Sequence, residues 1–150
     1  MLSVAEGELE GLILVALTTG QRIRDVLKLE HTDIDQGKKI IRFADSKTGL
    51  ILEMPLDPRV VTWAEQQSDS GMPGEVNPLL FPLLADRGPA KSAWSLRRLG
   101  RKVSADVYAV SFRHTFLKEL YARGVPMCKI LEVMGYRSRG RCSEESRDDR

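Results

Sequence analysis

Ser111-Phe112-Arg113-His114-Thr115-Phe116 decides how this chain reads. Phe112 and Phe116 stand four residues apart, so on a helix they share one face and can anchor it in a core. Arg113 falls between those anchors, early in the helix, where its charge is expensive to bury without an anionic partner. A structural salt bridge is one such partner. A phosphate is another, because its oxygens match the bidentate guanidinium fork. His114 reads as a packing or hydrogen-bonding residue.

Two earlier stretches carry cations in similar contexts. In Thr19-Gly20-Gln21-Arg22, the arginine follows a helix-breaking glycine and opens the next helix, where backbone donors and the helix dipole favour an anion. An ordinary surface arginine is the alternative. Asp25, three residues on, shares the helix face and can orient Arg22. In Ser46-Lys47-Thr48-Gly49, the lysine stands at the tip of a hairpin turn, where most lysines only solubilise.

Working outward, apolar residues at helical spacing predict a buried helix over 8–18 and another over 22–29. Residues 31–35 read as turn. Alternating stretches at 39–44 and 50–55 read as two strands of a hairpin. Pro58 begins a helix over 58–67. Residues 68–78, rich in Ser, Gly and Pro, read as a loop. A short apolar element at 79–82 precedes a second loop through Pro89. The spacing then predicts helices over 92–104, over 111–122 with Ser111 as its cap, and over 126–134. Tyr108 and Tyr121 read as packing or loop residues.

Lys91, Arg97, Arg98, Arg101 and Lys102 form the densest basic cluster. Arg97 and Arg101 share one helix face, with Arg98 and Lys102 on the neighbouring one. A solvated helix face explains such a cluster as well as phosphate contacts do. The formal net charge of +2 over 150 residues is too small to argue for nucleic acid by itself. Cys128 and Cys142 lack metal-ligand spacing and read as reduced thiols. No apolar run is long enough for a membrane span, and a cytoplasmic location is expected. Residues 137–150 contain no aliphatic or aromatic side chain, so residues 1–138 are expected to fold and 139–150 to form a disordered tail.

In order and context, Arg22, Lys47 and the run from Ser111 to Phe116 resemble the tyrosine recombinase (phage integrase) catalytic domain over residues 12–138. The resemblance implies an α+β, mainly helical fold, a helical bundle with a small antiparallel β-sheet. It implies double-stranded DNA as partner, with other recombinase protomers, and neither metal nor cofactor. Arg22 and Arg113 would clamp the scissile phosphate, and Lys47 would protonate the leaving 5′ oxygen. Arg97, Arg98, Arg101 and Lys102 would meet the DNA backbone, which sets affinity rather than sequence choice.

The sequence departs from that pattern in three places. Val110 stands where the family usually has histidine, three residues before the second arginine. Tyr136 occupies the position after Gly135 where histidine or tryptophan is usual, and it can still donate a hydrogen bond. The nucleophilic tyrosine is expected about nine residues beyond Tyr136 by resemblance, and Arg137 to Arg150 contains none. The expectation is a recombinase catalytic domain that keeps its phosphate-binding cations and does not cut DNA, with a truncated or frame-shifted end. A non-catalytic DNA-binding or assembly module and a decayed mobile-element remnant are the alternatives.

Overall fold

The computed structural model describes residues 5–46, 49–68 (residue 68 by its backbone alone), 77–103 and 105–135. Lys47, Tyr136 and the tail expected at 139–150 therefore lie outside the described residues. Helix α1 (Glu8–Thr19) is the axis of the fold, with every residue from Gly11 to Ala16 buried. Burial on all sides makes it a core helix packed by α3 (Pro58–Ser68), α4 (Pro82–Lys102) and α5 (Ala109–Ala122). Its glycine at position 11 admits the Trp63 ring, which lies 2.3 Å from where a Cβ would stand. Trp63 in turn stacks on Phe81 and donates its indole N–H to the Gly7 carbonyl.

Strands β1 (Ile34–Asp35), β2 (Ile40–Ala44) and β3 (Ile51–Pro55) form an antiparallel sheet in that order. The hairpin β2–β3 falls where alternation placed it, and Ile41 faces Met54 while Phe43 faces Leu52. Residues 34–35, read as turn, instead add an edge strand to β2. Ile41, Phe43 and Asp45 are all buried, so the inward period of two runs past the end of β2 into an acid.

Several boundaries differ from expectation. Helix α2 (Ile23–Val26) is only four residues long. The loop expected at 83–89 is helical, because α4 starts at Pro82 and is only interrupted at Gly88, whose φ of 80° and ψ of 164° are non-helical. Pro89 cannot donate a backbone bond. The buried Ser92 hydroxyl instead donates to the Leu84 and Gly88 carbonyls and stitches the break. Helix α5 begins two residues early, so Ser111 is its third residue, and its hydroxyl accepts from the Tyr108 amide. Tyr108, the N-cap of α5, and Tyr121, late in α5, are both exposed. Helix α6 (Met127–Val133) follows, and its Cys128 is disulfide-bonded, which corrects the reading as a reduced thiol.

No helix among the described residues is long and apolar enough to cross a membrane.

Candidate phosphate-binding groove

Helix α1 stops at Gly20, whose φ of 63° is the left-handed conformation of a glycine C-cap. A side chain there would also collide with Phe116, whose Cδ1 lies 2.4 Å from the Cβ position. Glycine is thus required twice, once by the backbone and once by the close approach of α5. The reversal at Gly20 makes Arg22 the extended N-cap of α2 and aims it at the hairpin. Gln21, wholly buried, ties this link to α6 by donating to the Val133 carbonyl at 3.1 Å.

Arg22 Nη1 donates to Asp45 Oδ2 at 2.6 Å, and the Asp45 side chain has no exposure to solvent. Asp25, the expected orienting acid, lies 3.8 Å from the same nitrogen. Its other oxygen, Oδ1, accepts from the Ser46 amide at 3.3 Å and so holds the first residue after β2. The two acids divide the work: Asp45 grips the arginine, and Asp25 steadies the hairpin base.

Arg113 is 8% exposed, as expected of a cation between two anchoring phenylalanines. Its Nη1 donates to the Gly20 carbonyl at 3.0 Å and its Nη2 to the Met134 carbonyl at 2.7 Å. Gly20 caps the C-terminus of α1 and Met134 that of α6, so Arg113 bolts together two helix ends carrying partial negative charge. Among the described residues, these two carbonyls turn the negative ends of their dipoles on the buried charge.

Arg22 and Arg113 line one groove of ≈ 390 Å³, together with Gln21, Val110 and His114. Val110, half-exposed, forms wall at the position that the resemblance assigns to histidine. His114 is exposed rather than packed. Neither Tyr108 nor Tyr121 lines this groove.

The basic cluster divides in two. Arg97 lies over the Tyr108 ring at 5.1 Å, beside the start of α5. Arg98 lies over Trp94 at 5.6 Å and with Lys102 borders a different groove, lined also by Glu6 ahead of α1. Arg101 is exposed, like the other three. Among the described residues no group of three or more His, Cys, Asp or Glu converges as metal ligands would.

Sequence reasoning brought Arg22 and Arg113 together and missed Asp45. The signal was present, because an acid in phase with Ile41 and Phe43 must point inward and therefore needs a cation.

The Phage integrase family matches residues 3–142 of the chain. No curated protein matches it. Among solved structures, the XerA recombinase superposes with a TM-score of 0.73 at 21% identity, over 87% of this chain and 48% of that one. The integrase of mycobacterium phage Brujita gives 0.67 at 20% identity, over 89% and 45%. The XerH recombinase bound to its difH substrate gives 0.72 at 19% identity, over 91% and 43%. The chain thus spans somewhat less than half the length of each of these proteins and shares their catalytic-domain fold.

Proposed function

The chain belongs to the phage integrase family, and on that premise we propose that its groove holds a DNA phosphate for site-specific recombination. One observation carries the reading: Arg22 and Arg113 line a single groove, each gripped from the protein side. Two guanidinium groups arranged in this way suit the non-bridging oxygens of a phosphodiester and the charge that grows on them during strand transfer. Duplex DNA is the partner, and further recombinase protomers join it on the same site. The folded unit is assigned to residues 1–138 and the setting to the cytoplasm.

In this reading Lys47 delivers a proton to the leaving 5′ oxygen, and Tyr136 donates a hydrogen bond to the phosphate. Arg97, Arg98, Arg101 and Lys102 hold the flanking backbone. Arg97 acts nearest the groove, because its ring partner Tyr108 is the N-cap of α5.

The 150 residues bind the phosphate without cutting it. Tyr108 and Tyr121 stand apart from the groove lining, and an attacking oxygen displaced by even about 1 Å loses much of its rate. Val110 removes a proton-exchanging group from the groove wall. These two features favour, as a second reading, a module that occupies recombination sites or joins intact recombinase protomers.

Trapping on nicked duplex DNA, with a denaturing gel as readout, tests both statements. We expect retarded DNA under native conditions and no protein-linked band after denaturation. A covalent band would overturn the non-cutting assignment and direct peptide mapping to Tyr108, Tyr121 and Tyr136. Absence of retardation by folded protein would overturn the phosphate-binding reading and leave the decayed remnant.

A further inference from the structure

Arg22 Nη1 stands between two buried carboxylates and is bonded to one of them. Asp45 Oδ2 is 2.6 Å away, whereas Asp25 Oδ2 is 3.8 Å away and makes no hydrogen bond. Both acid side chains are almost wholly buried, while that of Arg22 is 26% exposed and lines the groove. The direction of the guanidinium is therefore set by which carboxylate holds its inner edge.

Asp45 is built to win that competition. It continues the inward alternation of β2, and its backbone is fixed on both sides: its amide donates to the Leu50 carbonyl and its carbonyl accepts from the Gly49 amide. Asp25 is occupied through Oδ1 by the Ser46 amide. Space for the Asp45 carboxylate comes from Gly135, since a Cβ there would lie 2.9 Å from Oδ2, the oxygen that grips Arg22. Gly135 also has a φ of 71°, so a side chain at this position meets backbone strain as well as the acid.

We propose that Asp45 is a positioning residue that holds Arg22 toward the groove against the pull of Asp25, in a space that Gly135 leaves open. The inference rests on the phosphate-binding reading of that groove. Neutralising Asp45 hands Arg22 to the orphaned oxygen of Asp25 and draws it back from the phosphate. Charge alone predicts the reverse, because removing a negative charge behind a cationic groove strengthens anion binding. The sign of the change separates the two.

The test measures duplex DNA affinity against salt for the native chain, Asp45→Asn, Arg22→Gln, the double variant and Arg59→Gln. Folding of each is checked by circular dichroism. For Asp45→Asn we expect a loss of about tenfold and a fall of about 0.9 in the slope of log K against log salt, the mark of one lost phosphate contact. Arg22→Gln should show the same, the double variant should be no weaker than either single one, and Arg59→Gln, on the opposite side of α5, should bind within twofold of native. A folded Asp45→Asn protein that binds as tightly as native or tighter, beside a weakened Arg22→Gln, would overturn the proposal and leave the groove reading intact. DNA binding indifferent to Arg22 would overturn both.

Should Asp45→Asn fail to fold, the native chain with ¹⁵N-labelled arginine gives the answer. The Arg22 guanidinium protons should stay protected by Asp45 when DNA is added, and their release into fast exchange would contradict the assignment.

Discussion

Helix α5 separates two grooves of similar size that use arginine in opposite ways. On one side lies the ≈ 390 Å³ groove of Arg22 and Arg113. On the other lies a ≈ 430 Å³ groove bordered by Asp57, Arg59, Thr115, Glu119 and Arg123. In the second groove each arginine meets an acid at the surface, Arg59 with Asp57 and Arg123 with Glu119. In the first, Asp45 and the carbonyls of Gly20 and Met134 grip the arginines from inside the fold. An acid in the groove competes with any incoming anion, whereas an acceptor behind the arginine aims it. The contrast lies in where the acceptors stand, since both grooves hold a pair of arginines.

The strongest way to break the contrast is Arg113→Ala. It removes two charge-assisted bonds and leaves the carbonyl ends of α1 and α6 without them, so we expect a loss of about 3 kcal/mol in denaturant unfolding. DNA affinity should fall as well. Equal stability of variant and native chain would mean that Arg113 does not bolt the helix ends.

Arg22→Gln sharpens the picture, because glutamine keeps a donor for Asp45 and loses the charge. We expect DNA affinity to drop by about tenfold, the value of one charge-assisted contact. On the opposite groove, Arg59→Gln should leave DNA affinity within twofold of native, since its charge is already met by Asp57. A larger loss there would erase the difference between the two sides.

The smallest effect concerns pH. Hydrogen bonding from the Arg59 side chain, ahead of its backbone bond and charge, holds the Asp57 carboxyl below its ordinary value. A carboxylate depressed in the folded state adds stability above its unfolded value of about 3.9. That stability is lost as pH falls through the lower folded value. Arg59 is exposed and Asp57 partly so, so the pair is screened by solvent and the native chain should exceed Asp57→Asn by no more than about 0.5 kcal/mol at neutral pH. The difference should vanish in acid, and one that persists there would show that the variant acts through something other than ionisation.

Much of this architecture was legible in the sequence because its signals are local. The period-two residues around Asp45 to Gly49 specify the hairpin, and Phe112 and Phe116 specify which face of α5 is buried. The first half of α4 was not legible, since Gly88-Pro89 reads as a loop. The Ser92 hydroxyl bonds the Leu84 and Gly88 carbonyls across that break. Arg113 was identified as a buried cation, yet two of its acceptors are the backbone carbonyls of Gly20 and Met134, far along the chain, and a backbone acceptor leaves no mark in a sequence. Asp45 was passed over for another reason: it sits in a turn-like stretch, where acids are common and need no explanation.

The most direct measurement is a paired titration of duplex DNA with Arg22→Gln and Arg59→Gln at several salt concentrations. Arg22→Gln should lose affinity and about 0.9 of the salt slope, while Arg59→Gln should keep both. Equal losses in the two variants, or none in either, would contradict the claim that the groove between Arg22 and Arg113 is where the phosphate binds.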